Sequence, residues 1–352
     1  MFARNSTAAT VLAGALAAGV LMSAPAAQAR DLTIVSWGGA YQDAQRQAYF
    51  KPFMDQIKTK MVEESWDGGI GVLRAKIQSK ANTWDVVQVE SEELLIGCEE
   101  GLYEKIDWSK LGGQGKFIPS AVNPCGVGAI VYNFVLAYDG ARTKDGPKSW
   151  ADFWDVQKWP GKRAMRKGPK TTLEIALMAD GVKPEDVYKE LATDAGVERA
   201  FKKLDQIKAN IIWWEKGAQP PQLLASGDAA MVVAYNGRIS AANKTDKRDF
   251  KIVWANSIYT IDSWVIMKDS PNKDAAYNFL AFVNDPKNQA KLPPLIPYGV
   301  TTAAATAMID KSVLPELPTA PDNFKSVVHL DDKFWLENLD KLSQRFNAWV
   351  AK

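Results

Sequence analysis

Aromatic and acidic side chains directly follow several predicted strands, where they could bind a small solute. Trp37 and Tyr41 come after the first strand, Glu90 and Glu92 come after the third, and Tyr235 ends a later one. An aromatic face attracts a cation, and a carboxylate both neutralises an ammonium group and accepts its hydrogen bonds. These residue types therefore predict a site for a ligand that carries an amine.

Two further charged residues complete this set of seven candidates. Asp262 opens a strongly apolar strand, which makes a purely solvated role less natural. Arg238 is basic, unlike the other charged candidates. A guanidinium beside carboxylates is either their salt-bridge partner or a bidentate clamp for a ligand carboxylate. Structural interpretations stay open, since the aromatic residues could belong to the core and the glutamates could begin a solvated helix.

The elements that must position these side chains alternate between strand and helix. Apolar runs predict strands, and apolar spacings of three and four residues predict helices between them. The predicted strands are 32–36, 61–65, 84–89, 129–138, 162–166, 230–235, 250–254 and 263–267. This alternation indicates an α/β fold with a mainly parallel sheet, in which ligands bind beyond the carboxyl ends of the strands.

Residues 1–29 have the pattern of a secretory signal peptide. Arg4 is their only charged residue, an apolar stretch covers 11–22, and 27–29 read Ala-Gln-Ala, which matches a cleavage site. We expect cleavage after Ala29 and a soluble, exported protein; the alternative is an uncleaved membrane anchor.

Charge and cysteine content narrow the possible functions. The 352 residues include 43 basic and 41 acidic side chains, so the overall field does not favour nucleic acid or an anionic membrane. In an oxidising compartment Cys98 and Cys125 are expected to form a disulfide, the alternative being two buried thiols. The sole histidine, His329, lies far from both, and no metal-type spacing exists, so we expect neither a catalytic cysteine nor a metal or cofactor.

Five segments resemble the spermidine/putrescine-type solute-binding proteins of bacterial ABC importers, which are extracellular solute-binding proteins. The segments are Ser36–Tyr41, Trp84–Val87, Lys148–Trp154, Ser226–Met231 and Tyr235–Arg238. The resemblance covers essentially the whole mature chain. It implies a two-lobed periplasmic binding fold (type II), a monomer without enzymatic activity, and a partner permease in the inner membrane to which the solute is delivered.

The resemblance also implies discontinuous lobes between which the chain crosses more than once. Lobe one is expected to comprise residues 30–136 and 260–305, and lobe two residues 137–259 and 306–352. The hinges are expected near 132–139 and 256–262. A ligand would be enclosed when the two lobes close.

Carried over residue by residue, the resemblance assigns roles to four candidates. Trp37 and Tyr41 match the first aromatic wall of the family, Tyr235 matches an aromatic residue before Asn-Gly, and Asp262 matches the aspartate that binds an amine. In 167–172, however, where polyamine binders have acidic residues, this chain has none.

The missing acids and Arg238 together change the expected ligand. A buried guanidinium without an anion would repel a dication. We therefore expect a solute with one amine and one carboxylate, such as 4-aminobutyrate, with its ammonium near Asp262 and its carboxylate on Arg238. A polyamine stays open if Glu90 or Glu92 neutralises Arg238.

Two other classes stay open at this point. The 13 tryptophans could stack sugar rings in a periplasmic sugar receptor. An exported glycosidase could use Glu90 or Glu92 in a carboxylate pair. An enzyme would consume its ligand, whereas a receptor would release it unchanged.

Overall fold

In a computed structural model of the chain, two long antiparallel strands run through the centre of a ten-stranded sheet. The structure describes Met1, residues 30–58 and residues 60–352. The predicted signal peptide therefore lies almost entirely outside the described residues. Residues Asp31–Lys352 form one compact unit, and the predicted lobe boundaries stay a prediction.

The sheet has two flanks of mainly parallel strands on either side of the central pair. Its strands are β1 (Leu32–Ser36), β2 (Met61–Ser65), β3 (Val86–Val89), β4 (Val122–Asn123), β5 (Gly126–Asp139), β6 (Arg163–Arg166), β7 (Ile211–Trp214), β8 (Met231–Tyr235), β9 (Phe250–Ile266) and β10 (Val328–His329). The order is β2-β1-β3-β9-β5-β8-β6-β7, with β10 beside β9 and β4 beside β5. Strands β5 and β9 thus connect the two flanks.

Helices follow most of the parallel strands. They are α1 (Gly39–Gln45), α2 (Lys51–Ile57), α3 (Ile70–Gln78), α4 (Ser91–Glu99), α5 (Trp150–Trp154), α6 (Thr172–Ala179), α7 (Val187–Leu191), α8 (Asp194–Asp205), α9 (Gln219–Ser226), α10 (Asn236–Thr245), α11 (Lys273–Val283), α12 (Pro286–Gln289), α13 (Pro321–Phe324) and α14 (Asp332–Val350). A π-helical turn at Arg46–Phe50 joins α1 to α2. No helix of the described residues is long and apolar enough to cross a membrane.

Local sequence signals explain where several helices begin and end. The hydroxyl of Thr193 accepts the amide of Gly196 and caps α8, and the carboxylate of Asp331 accepts the amide of Phe334 and caps α14. Gly227 ends α9 with φ 84°, a left-handed conformation that glycine adopts without a Cβ clash.

Two expectations about the sheet are wrong. Strand β9 is continuous over Phe250–Ile266, whereas the sequence predicted two strands, 250–254 and 263–267. Polar residues interrupt the apolar run, but the neighbouring strand satisfies them: Asn133 Nδ2 donates to Ser257 Oγ over 2.7 Å. The sheet is also less parallel than predicted, because β9 pairs antiparallel with β3 and β5, and β5 pairs antiparallel with β8.

The two cysteines and the adjacent tryptophans Trp213 and Trp214 have structural roles. Cys98, in α4, and Cys125, just before β5, are joined by a disulfide. Trp214 is fully buried, and Trp213 packs edge-on against Phe346 of α14, with 5.2 Å between ring centroids. The tryptophan pair therefore belongs to the core and does not line the cleft described below.

Candidate ligand-binding site

A cleft opens beyond the ends of strands from both flanks of the sheet. It encloses about 490 Å³ of space between atoms, part of it continuous with bulk solvent. Its lining residues are Trp37, Tyr41, Trp66, Asp67, Glu90, Ile130, Tyr132, Arg166, Glu215, Gly217, Tyr235, Arg238, Asp262 and Tyr298. Six of the seven candidates from the sequence thus meet in one cleft, and Glu92 lies behind its wall.

Aromatic rings form most of the apolar wall. Trp37 stacks on Trp66 at 5.2 Å between centroids and 17° between planes. Tyr298 meets the ring of Tyr41 edge-on at 5.3 Å and that of Tyr132 at 6.2 Å. Tyr132 in turn lies edge-on to Tyr235 at 5.5 Å. These rings can remove the methylene chain of a ligand from water and present faces to a cation.

Asp262, in β9, is a buried carboxylate that keeps one oxygen free. Gln88 Nε2 donates to Oδ2 over 3.3 Å, while Oδ1 has no hydrogen-bond partner among the described residues. Burial, and next the negative charge of Glu90, raise the pKa of Asp262 well above its ordinary range. An ammonium group placed at Oδ1 would satisfy this oxygen and compensate its charge.

Arg238, in the first turn of α10, reaches across the cleft to the β1–α1 loop. Its Nη1 donates to the carbonyl of Gly38 over 2.9 Å, and its Nη2 donates to the carbonyl of Trp37 over 3.0 Å. A Cβ on Gly39 would lie 2.8 Å from Nη1, so the close approach of the guanidinium requires glycine there. Among the described residues, no carboxylate forms an ion pair with Arg238.

Glu90 and Glu92 pair with two cations that sequence reasoning missed. Arg166 Nη1 donates to Glu90 Oε2 over 2.9 Å, and Lys170 Nζ contacts both Glu90 Oε2 and Glu92 Oε1. Although burial alone would raise it, the charges of Arg166 and Lys170 lower the pKa of Glu90 to about 2. Tyr235 adds a longer hydroxyl contact of 3.3 Å to Glu90 Oε1.

This pairing shows which cations Glu90 and Glu92 contact, a point that the sequence left open. Glu90 and Glu92 do not neutralise Arg238, because their ion-pair partners are Arg166 and Lys170. They are also not a solvated helix start, since only 4% and 5% of their surfaces are exposed. They begin α4 at a buried position, where Glu90 and Glu93 form a reciprocal capping box.

Of the site residues that the sequence analysis missed, some could have been found from their positions in the sequence and others could not. Trp66 directly follows β2 and Arg166 ends β6, so the rule that selected Trp37 could have selected both. Lys170 lies four residues beyond β6 and carried no distinguishing pattern. Tyr298 lies in a proline-rich segment outside any helix or strand, and only the fold brings it to the cleft.

An α/β sheet with a cleft at its strand ends, aromatic walls and two opposite charges without ion-pair partners is typical of a solute-binding protein. The chain belongs to the bacterial extracellular solute-binding proteins, whose family model matches residues 44–319. The predicted fold class and the resemblance to the solute-binding proteins of ABC importers are therefore confirmed.

Individual relatives agree with this assignment. The chain is 48% identical to the gamma-aminobutyric acid-binding protein of Pseudomonas aeruginosa over 330 residues, which cover 94% of each protein. An ABC transporter substrate-binding protein from Bradyrhizobium japonicum superposes with a TM-score of 0.82 at 36% identity, covering 92% of this chain and 99% of that one. The Atu4243 GABA receptor superposes with a TM-score of 0.80 at 35% identity, covering 92% and 98%.

Proposed function

We propose that the protein, after export, captures 4-aminobutyrate or a linear ω-amino acid of similar length and delivers it to the membrane permease of an ABC importer. One observation carries the proposal: Asp262 and Arg238 face the same buried cleft, and neither has an ion-pair partner of opposite charge among the described residues. Two opposite charges in need of partners fit a zwitterion better than they fit a dication or a neutral sugar.

The cleft supplies a partner for each part of such a ligand. The ammonium would lie at the free Oδ1 of Asp262, among the rings of Tyr41, Tyr132 and Tyr235. The carboxylate would accept hydrogen bonds from the guanidinium of Arg238, which is planar and suited to a carboxylate. Trp37 Nε1 is buried without a partner and could donate to the same carboxylate.

The relatives support the same ligand. One protein 48% identical to this chain and one superposable structure bind, by their names, gamma-aminobutyric acid. We propose that this chain shares their ligand and that it performs no catalysis. A carboxylate-pair glycosidase is not favoured, because Lys170 binds both Glu90 and Glu92 and Glu92 does not line the cleft.

Calorimetric titration with 4-aminobutyrate, putrescine and spermidine tests the proposal. The wild type should bind 4-aminobutyrate, and Arg238→Ala and Asp262→Asn should each weaken binding about 30-fold or more, because each leaves one ligand charge unpaired in a buried site. Arg199→Ala is the matched control, since Arg199 pairs with Asp180 on the surface away from the cleft.

Two results would contradict the proposal. The first is the absence of 4-aminobutyrate binding to the wild type. The second is polyamine binding that Arg238→Ala leaves unchanged or improves, which would make Arg238 a structural residue and return the cleft to a polyamine ligand.

A further inference from the structure

We infer that Arg166 and Lys170 are specificity-determining residues: by neutralising Glu90 and Glu92 inside the cleft wall, they make the site reject diamines. This inference rests on the proposed function, and it adds the reason why a cleft with Asp262 and Glu90 in its lining, and Glu92 behind its wall, would prefer a zwitterion. Without those two cations, the acidic groups next to Asp262 would form a diamine site.

The four residues form a closed charge network. Glu90 accepts from both Arg166 and Lys170, and Lys170 also contacts Glu92. Their side chains are nearly inaccessible, with 5% exposure for Glu90, 7% for Glu92 and Lys170, and 18% for Arg166. Two carboxylates and two cations give no net charge, so the network presents no uncompensated charge to a ligand.

The remaining charges of the cleft then determine which ligand has its own charges compensated. At its mouth, Asp67 pairs with Lys216 and Glu215 pairs with Lys167. A ligand in the cleft therefore encounters one uncompensated negative charge, on Asp262, and one uncompensated positive charge, on Arg238. A zwitterion leaves no net charge in the cleft, whereas a diamine would bring its second ammonium toward Arg238 and Arg166.

The same charge balance predicts which substitutions would convert the cleft into a diamine site. Removing Arg238 leaves Asp262 alone, and removing Lys170 in addition leaves the carboxylates of Glu90 and Glu92 with one cation between them. The converted cleft then carries two uncompensated negative charges, which a diamine matches. An ammonium at Glu90 would replace the hydrogen bond that Lys170 Nζ makes there.

Putrescine titrations into three variants test this conversion. Arg238→Ala provides the baseline. Arg238→Ala/Lys170→Met should bind putrescine at least about tenfold more tightly than that baseline. Arg238→Ala/Lys170→Met/Glu92→Gln has a neutral network again, with Glu90 still paired to Arg166, and should lose the gain. Arg238→Ala/Lys189→Met is the matched control, because Lys189 pairs with Asp186 on the surface.

Folding is checked by circular dichroism and thermal unfolding of each variant. If Lys170→Met prevents folding, Arg166→Gln removes one positive charge from the same network at a more exposed position and should give the same gain. The inference is overturned if neither charge deletion raises putrescine affinity above the baseline, or if the triple variant keeps the gain. Absence of 4-aminobutyrate binding to the wild type overturns the proposed function and this inference with it.

Discussion

At the scale of single residues, the free energy of binding depends on charges that the protein buries before the ligand arrives. Asp262 Oδ1 and Trp37 Nε1 are buried polar atoms without partners among the described residues. An unpaired polar atom costs free energy, roughly 1–3 kcal/mol, when no ligand is present. A ligand that satisfies both atoms therefore recovers this cost in addition to its own contacts.

Ligand affinity should decrease on acidification, because Asp262 must be ionised to pair with an ammonium. Its pKa is raised by burial and by the charge of Glu90, so protonation begins well above the ordinary aspartate value of about 3.9. Calorimetric dissociation constants for 4-aminobutyrate, measured from about pH 8 down to about pH 5, should increase as the pH falls. Binding in that interval should release protons, which buffers of different ionisation enthalpy reveal.

Glu93 provides the control for this pH dependence. Burial, and next the charges of Glu92 and Glu90, raise its pKa to about 8, so it also titrates in the interval. Glu93→Gln should keep the decrease in affinity on acidification, and Asp262→Asn should bind weakly with no such decrease. A wild type whose affinity does not change with pH, or a Glu93→Gln variant that loses the dependence, would contradict the assignment to Asp262.

How visible each residue is in the sequence depends on whether its position follows from local structure. Trp37, Glu90 and Asp262 were found because each begins or follows a strand. Lys170 was not found, since its partners Glu90 and Glu92 lie about 80 positions earlier in the chain. An ion pair between distant segments is a property of the fold. No local sequence pattern therefore predicts that Glu90 and Glu92 pair with Arg166 and Lys170 and not with Arg238.

At the scale of elements, one buried carboxylate connects three helices. Glu174 of α6 accepts from Trp335 Nε1 of α14 over 2.7 Å and from the Tyr188 hydroxyl of α7 over 2.9 Å, both at Oε1. Its Oε2 has no partner among the described residues. The carboxylate thus attaches the C-terminal helix to the second flank of the sheet, at a position where its negative charge is poorly compensated.

Glu174→Gln should stabilise the protein above neutral pH. Burial raises the pKa of Glu174 to about 7, so the folded state keeps a proton that the unfolded chain has already lost. Stability is therefore highest below the ordinary glutamate pKa and falls as the pH rises through about 7. Urea unfolding should give a higher free energy of unfolding for the variant at about pH 8, by a few kcal/mol at most, and a much smaller difference at about pH 5.

The control for Glu174→Gln is the same substitution at an exposed carboxylate. Glu198 of α8 forms an ion pair with Arg345 of α14, and its side chain is 71% exposed. Glu198→Gln should change the free energy of unfolding little at either pH. A Glu174→Gln variant that is destabilised equally at both values would contradict the raised pKa of Glu174.

The bounds of helices and strands could be predicted where local sequence signals were strong. Which strands pair with one another could not be predicted. The strands predicted at 32–36 and 61–65 both formed with the expected bounds. Strand β9 was divided wrongly because Ser257, Thr260 and Asp262 are polar but buried. A buried polar residue in a strand is explained by partners on other elements, which a single segment does not contain.

At the scale of the whole molecule, strands β5 and β9 are the two connections at the centre of the sheet. We propose that lobe one comprises 30–136 and 260–305 and that lobe two comprises 137–259 and 306–352, so both strands pass from one lobe to the other. The contacts of Arg238 with Trp37 and Gly38 then join the lobes across the cleft. A ligand that binds Asp262 of one lobe and Arg238 of the other would favour the closed arrangement.

Ligand should therefore accelerate chemical crosslinking across the cleft but not within a lobe. Asp67→Cys/Lys216→Cys replaces a 3.2 Å surface ion pair that would link the lobes, and Lys167→Cys/Glu215→Cys replaces a 2.8 Å ion pair within lobe two. Such exposed ion pairs contribute little to stability, so their replacement should leave the fold intact. The native cysteines are joined in a disulfide, so a short bismaleimide crosslinks only the engineered cysteines.

With 4-aminobutyrate, the crosslinking rate of the first pair should rise several-fold while that of the second stays constant, because closure changes only the distance between lobes. Equal acceleration of both pairs would indicate a general change in thiol reactivity. No acceleration of either pair, at a ligand concentration that calorimetry shows to be saturating, would mean that the cleft binds its ligand without closing. The proposed closure of the lobes around the ligand would then have to be abandoned.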